Sequence, residues 1–310
     1  MVRIASENST SVRARIAAAV TAARLVAPAL PGVAIGLALH VFTSPRRHEA
    51  PARERELEAK GESLRLGGGR IAARRFGEGA PVVLMHGWEG RGLQLGAFVT
   101  PLVERGFSVI APDAPGHGDS AGARATLRDF ADTLHAVQER VGPLAGLVAH
   151  SFGGAAATLA MTEGLRVEAA VFVGSPSSMT ARVREFLALV GLPEALAPLL
   201  EDRVGEVVGK HPRDVEVRTM GAEIATPLLV VHDEEDREVS FACATDYLEA
   251  FPDARLVATR GLGHRRILRD PDVVARAADF VAARAGAGRR SAVDPWLDAA
   301  LGDRVLFEVA

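Results

Sequence analysis

AHSFGG, residues 149–154, is the stretch whose reading decides how the rest of the chain is understood. In front of it, LAGLV (144–148) is short and apolar, as a buried strand is. Behind it, AAATLAMTEGL (155–165) is alanine-rich and regularly apolar, as a helix packed closely on a sheet is. A serine at a sharp strand-to-helix turn among small residues forms a nucleophile elbow, with its hydroxyl held clear of both elements. The small neighbours are needed because the turn strains the backbone at Ser151 and brings strand and helix together. Ala149 stands where such a turn ordinarily begins with glycine, a change of one methyl. The bland alternative is that Ser151 merely caps a helix, and the rest of the chain decides between the two.

The length of 310 residues suffices for one large domain with a real core. A net charge of -3 with 24% charged and 48% hydrophobic residues excludes both the basic excess of a nucleic-acid binder and the composition of a disordered chain. The single cysteine, Cys243, allows no intrachain disulfide and no cysteine-based zinc site, so a cytoplasmic, reducing location is expected. No cofactor and no metal is expected.

Residues 1–60 read as an extension ahead of the main domain. A helix is expected over 9–25, with Val12, Ile16, Val20 and Leu25 on one face. The apolar run 26–42 fits a hairpin or helix packed on the domain, with weak contact to a membrane surface as the alternative. Pro28, Pro31 and Gly32 interrupt it, it is short for a span, and it begins late for an export signal. The charged stretch 44–61 reads as exposed, part helix and part linker.

From residue 61 to 284 the pattern is that of an α/β domain. Strands 62–66 and 70–75 flank three glycines and predict an antiparallel hairpin. Apolar strands are expected at 81–85, 107–111, 144–148, 169–173, 228–231 and 255–258, and helices at 94–104, 127–141, 241–250 and 271–284. The strands are apolar throughout rather than alternating, the mark of a largely parallel sheet covered on both faces. The segment 176–226 breaks the rhythm with helices at 179–190 and 194–208 and reads as a small helical lid over the carboxyl ends of the strands, where ligands bind in open α/β sheets. The tail, 285–310, contains Trp296, Leu297 and Leu301 and is expected to carry a short helix packed on this domain or another subunit.

A serine nucleophile needs a base to take its proton and an acid to orient that base. Both follow Ser151 in the chain, in loops just beyond strands that end on one edge of the sheet: Asp236 in HDEEDREVS and His264 in TRGLGHRRI. Asp236 is preferred as the acid, with Asp233 the substitute. The developing oxyanion needs backbone amides, for which Phe152, next to Ser151, and Trp88, after the 81–85 strand, are the candidates. His86 and His117 are expected to hold structure through hydrogen bonds. Trp88, Phe152, Met179, Phe186 and Leu187 are available to line an acyl pocket.

Taken together these motifs resemble the α/β-hydrolase superfamily, esterase- and lipase-like members in particular. AHSFGG is similar to its nucleophile elbow, HGW to its oxyanion loop, DAPGHGDS to the stretch after its next strand, HDEEDREV to its acid loop and GLGHRRIL to its terminal histidine loop. The resemblance spans roughly 62–283 and implies the α/β-hydrolase fold with Ser151, Asp236 and His264 as a triad. It implies a serine hydrolase acting on a small-molecule acyl substrate, with a small or medium ester first. A peptidase, amidase or thioesterase is the main enzymatic alternative, and a non-catalytic small-molecule-binding protein is the alternative from another class.

Overall fold

The computed structural model describes residues 3–285 and 305–309. Two helices open the chain, α1 (Arg3–Val26) and α2 (Pro31–Phe42), turned back on each other through 27–30. A short helix, α3 (Ala52–Glu58), leads to the hairpin of β1 (Glu62–Leu66) and β2 (Ile71–Phe76). Strand and helix then alternate: β3 (Ala80–Met85), α4 (Val99–Glu104) after a 3-10 turn, β4 (Phe107–Pro112), α5 (Leu127–Val141), β5 (Gly146–His150), α6 (Phe152–Thr162) and β6 (Ala170–Val173). The lid region holds α7 (Met179–Leu189), α8 (Ala197–Val208) and α9 (Val217–Met220). The chain returns through β7 (Leu228–Asp233), α10 (Ala242–Ala250), β8 (Ala254–Thr259), α11 (Gly263–Arg266) and α12 (Pro271–Arg284), and β9 (Val305–Val309) lies beside β8.

Among the described residues these strands form one sheet in the order β1-β2-β4-β3-β5-β6-β7-β8-β9. Only the β1–β2 and β2–β4 pairs are antiparallel. Successive side chains of a strand point to opposite faces, and here both faces are covered. Val83, Met85, Leu147 and Ala149 pack with Phe130 and Leu134 of α5 and with the alanines of α6. Val82, Leu84, Val148 and Val171 pack with Leu102 of α4 and Ala277 and Val281 of α12. That double covering is why the strands carry no polar alternation. α5 coincides with its sequence expectation because a capping box fixes its start: Thr126 accepts from the Asp129 amide while Asp129 accepts from the Thr126 amide.

The strand before Ser151 lies two residues later than the apolar run alone suggests. Leu144 makes only an isolated bridge to Val167, whereas β5 pairs with β3 up to Ala149 and with β6 up to His150. The helix therefore begins at Phe152, directly after the serine. Ala149 lies inside the strand, opposite Met85 and Phe172, so its methyl fills the core and its backbone needs no glycine.

The lid is tied to the sheet edge by Tyr247 of α10, whose buried hydroxyl donates to the Pro176 carbonyl oxygen at 3.0 Å. The α1–α2 hairpin packs on the lid. Arg24 Nε donates to the Val190 carbonyl at 2.6 Å, and the Phe42 ring meets Phe186 edge-on with 4.9 Å between centroids. Most of residues 44–61 are exposed, as their charge implies, with Glu54 an exception that is buried near Arg91. No helix among the described residues is long and apolar enough to cross a membrane. Trp296, Leu297 and Leu301 lie outside the described residues. The strand at the end of the tail was not expected from the sequence.

The closeness of α6 to β3 depends on Gly153. A Cβ there would stand 2.5 Å from the His86 carbonyl oxygen and 2.8 Å from that of Met85, both backbone atoms. We expect Gly153→Ala to lower stability by about 1–3 kcal/mol, the usual penalty for overpacking. Urea denaturation reads this as an earlier midpoint, and an unchanged midpoint would contradict the packing described.

Candidate active site

Ser151 occupies the turn between β5 and α6 with φ 51° and ψ -126°. A non-glycine residue in this region costs on the order of 1–3 kcal/mol and persists only where its surroundings enforce it. Here the Ser151 amide donates to the Val173 carbonyl of the neighbouring strand at 2.9 Å, and the helix starts at once. The hydroxyl makes no capping hydrogen bond. It borders a cavity of about 850 Å3 that is also lined by His264, Trp88 and Phe152.

His264 sits on α11 and Asp236 in the loop after β7. The His264 Nδ1 and Asp236 Oδ2 atoms lie 2.7 Å apart, with side chains only 6% and 1% exposed. The other carboxylate oxygen of Asp236 accepts from the amides of Glu238 at 2.8 Å and Val239 at 3.0 Å. Burial pushes the Asp236 pKa up, but His264 and these two amides outweigh it and hold the carboxyl below its ordinary value. The group is thus a fixed anion against one imidazole nitrogen. Gly174, with φ 57°, passes close by: a Cβ there would lie 3.2 Å from His264 Nδ1 and 3.3 Å from Asp236 Oδ2.

Asp233, the substitute acid, is committed elsewhere. It accepts from the Thr259 hydroxyl at 2.7 Å and from the amides of Leu262 at 2.9 Å and Glu235 at 3.0 Å. Burial opposes its charge, and these donors hold its pKa below the ordinary value. Its carboxylate clamps the turn that carries α11, and no hydrogen bond joins it to the His264 ring.

The loop after β3 crosses over the serine, and Gly87 allows it: a Cβ there would come within 2.8 Å of Ser151 Cβ. Neither the Trp88 nor the Phe152 backbone N–H has a hydrogen-bond acceptor among the described residues. Among the described residues Glu89 is the other non-glycine residue with positive φ, at 57°. His117 Nε2 accepts from its amide at 3.0 Å, and its carboxylate accepts three hydrogen bonds from the Arg46 guanidinium. His86 joins this loop to the one after β4, with Nδ1 against the Gly87 carbonyl at 2.7 Å and Nε2 accepting from the Ala114 amide at 2.9 Å.

Three buried histidines surround the site and are neutral. Burial pulls His86 down to about 4; burial and the neighbouring His86 pull His117 to about 3; burial and His264 pull His150 to about 3. The role of His150 was not anticipated from the sequence, although the residue stands inside AHSFGG. Its Nε2–H donates to the His264 carbonyl oxygen at 3.0 Å and its ring lies 4.6 Å from that of His264, so it props the helix that presents the base candidate.

Of the expected pocket residues, Trp88, Phe152, Met179 and Phe186 line the cavity. Leu187, one step further round α7, turns into the core and is 1% exposed. The opposite wall was missed by sequence reasoning: Ile16, Ala17 and Val20 of α1 with Leu39, Val41 and Phe42 of α2. Among the described residues no group of three His, Cys, Asp or Glu side chains is placed to hold a metal ion.

An open, mostly parallel sheet with a strained serine after its fifth strand and a paired aspartate and histidine beyond later strands defines a class of α/β protein built around that edge. Residues 82–277 match the Alpha/beta hydrolase family, and the chain belongs to it. Among solved structures, it is similar to an esterase from Exiguobacterium antarcticum (19% identity over 71% of this chain and 99% of that one, TM-score 0.55). The esterase RhEst1 from Rhodococcus sp. ECU1013 is similar at 21% identity over 73% of this chain and 99% of that one, TM-score 0.53. A bromoperoxidase from Bacillus anthracis is similar at 22% identity over 68% of this chain and 94% of that one, TM-score 0.51. At such identities the likeness shows the fold. No curated protein matches the chain.

The buried histidines give the fold a pH dependence with a definite sign. Their folded pKa values lie below the ordinary 6.5, so between the two values the unfolded chain binds more protons. Stability from each is complete above 6.5 and is lost as pH falls toward 4, amounting to about 2 kcal/mol per histidine by pH 5. Asp233 and Asp236, held below their ordinary values, lose their contribution only at lower pH, whereas burial raises Glu54 and Asp132 and works in the opposite sense to the histidines. Urea midpoints at pH 7.5 and pH 5 check this: we expect a clearly lower midpoint at pH 5, and equal midpoints would contradict buried neutral histidines.

Proposed function

We propose that the protein is a serine hydrolase that cleaves carboxylic esters through an acyl-enzyme, with Ser151 as nucleophile, His264 as base and Asp236 as the acid that orients it. The observation that carries this reading is the buried 2.7 Å contact of His264 Nδ1 with Asp236, on the rim of the same cavity that receives the Ser151 hydroxyl. With Nδ1–H donating to the carboxylate, the other ring nitrogen is free to accept the serine proton.

In this mechanism Ser151 Oγ adds to the ester carbonyl carbon while His264 Nε2 takes its proton. The negative charge formed on the carbonyl oxygen is met by the unpaired amides of Trp88 and Phe152. Collapse of the tetrahedral species breaks the bond to the alcohol oxygen, which leaves with the proton from His264. Water then adds to the acyl-serine, His264 takes a proton from it, and the carboxylic acid departs as the proton returns to Ser151. Atoms balance as ester plus water giving acid plus alcohol.

An ester is favoured over a peptide because every charged side chain on the cavity wall is already matched. Arg46 pairs with Glu89, Arg182 with Glu185, Lys210 with Glu163, and Glu238 with Arg265. No carboxylate is left to hold a substrate amine.

Two substitutions test the assignment with p-nitrophenyl butyrate. Ser151→Ala should keep the melting temperature and remove nearly all hydrolysis, and wild-type turnover in a mass-verified variant would overturn the nucleophile. Asp236→Asn should lower kcat by roughly a hundredfold or more near neutral pH, because the imidazole loses its fixed tautomer. Asp233→Asn should mainly reduce stability. A fast Asp236→Asn beside a crippled but folded Asp233→Asn would reverse the choice of acid.

A further inference from the structure

The α1–α2 hairpin lies ahead of the segment that carries the family match, yet it forms one wall of the cavity over Ser151. Facing it, the lid contributes Met179, Val183, Phe186, Val190 and Val204. The two walls are joined by the Arg24–Val190 hydrogen bond, the Phe42–Phe186 ring contact, and the packing of α2 against α8. On the hairpin side, the residues of α1 that line the cavity are the apolar Ile16, Ala17 and Val20. A void of about 850 Å3 is near the upper end of what small-molecule sites enclose, far more than an acetyl or butyryl group fills.

We infer that the hairpin is a specificity element: it converts the cavity into a slot for a straight aliphatic acyl chain of medium or greater length, its carbonyl at Ser151 and its tail between α1 and the lid. The inference rests on the ester-cleaving reading for its chemistry and on the shape and lining of the cavity for its substrate class. The chemistry of the walls argues for a hydrocarbon tail. Each charge on the wall already has an ion-pair partner, on the wall or beside it, so an acyl chain bearing a charge finds no partner there and is penalised for leaving water. Each methylene that leaves water for such a wall improves binding by about fourfold. Selectivity therefore grows with chain length until the slot is filled. The residues that set the limit are those of α1, because Ala17 and Val20 are small and leave the space that a tail would occupy. Phe42, wedged on Phe186, fixes the angle between hairpin and lid.

The test compares kcat/KM for p-nitrophenyl butyrate, octanoate, dodecanoate and palmitate in wild type, Ala17→Trp, Val20→Trp and Val33→Ser. Val33 lies on the outer side of the hairpin, is 52% exposed and does not line the cavity. We expect the wild-type profile to rise from butyrate to dodecanoate. Each tryptophan variant should lower the dodecanoate-to-butyrate ratio at least tenfold, and Val33→Ser should keep the wild-type ratio. A wild-type profile that falls beyond butyrate, or tryptophan variants with an unchanged ratio, would overturn the inference. Melting curves are run first, and Ala17→Leu with Val20→Phe replace any tryptophan variant that does not fold.

A second readout separates this inference from the ester-cleaving reading. Straight-chain alkanols from butanol to dodecanol are competed against an environment-sensitive apolar dye bound to Ser151→Ala, and to the same protein carrying the α1 substitutions. Tighter binding of the longer alkanols, lost tenfold or more on filling the α1 wall, supports the slot even if no ester is turned over. Absence of ester turnover alone would then count against the catalytic reading. Equal affinity for all alkanols, or indifference to the α1 substitutions, would overturn the slot whatever the activity.

Discussion

The backbone of Ser151 is the constraint on which the rest of the structure depends. β5 passes into α6 through a single sharply turned residue held at positive φ, a serine at 51°. The strain is tolerated because everything around it is fixed. The Ser151 amide is bonded to β6, α6 is an almost wholly buried helix of small residues, and the β3 loop crosses above with a glycine where Ser151 Cβ approaches. Among the described residues the one other non-glycine residue at positive φ, Glu89, belongs to that same crossing loop. Two strained residues facing one cavity are the kind of outlier from which a functional site is reasonably inferred.

Around this turn the histidines divide the work by environment. His86 and His117 have both ring nitrogens engaged with backbone groups, and His150 and His232 each bond a backbone carbonyl through Nε2. Burial keeps all four below the ordinary imidazole pKa. They act as uncharged braces for the loops that carry Trp88, Asp236 and His264. His264 alone is held by a carboxylate at close hydrogen-bond distance while bordering the cavity, and a carboxylate partner is what stabilises an imidazolium when a proton arrives. The same ring type thus serves two purposes: His232 also stands 3.6 Å from Asp236 but is closer to the Val239 carbonyl, whereas His264 takes the carboxylate at 2.7 Å and borders the cavity.

Much of the sheet was legible in the sequence because burial on both faces leaves continuous apolar strands, and because caps such as Thr126 with Asp129 mark helix starts chemically. The order serine, aspartate, histidine was legible for a similar reason: parallel strands end on one edge, so loops far apart in the chain must meet. The two-residue shift of β5 was not legible, since Leu144 and His150 differ in pairing and not in any local pattern. Nor was the bracing role of His150, which exists only once α11 is packed against it. The apolar run 26–42 announced burial but not its partner; that the hairpin closes over the cavity depends on α7 and α8, some 150 residues away. Leu187 shows the limit in miniature, since one residue along a helix is a turn of about 100° and moves a side chain from cavity to core.

The central claim, that the strained Ser151 is an activated nucleophile, is tested most directly by intact-mass analysis after exposure to a fluorophosphonate, followed by peptide mapping. One covalent adduct per chain is expected, located on Ser151 and absent from folded Ser151→Ala. A folded wild-type protein that takes up no adduct, or an adduct that persists when Ser151 is replaced, would contradict it.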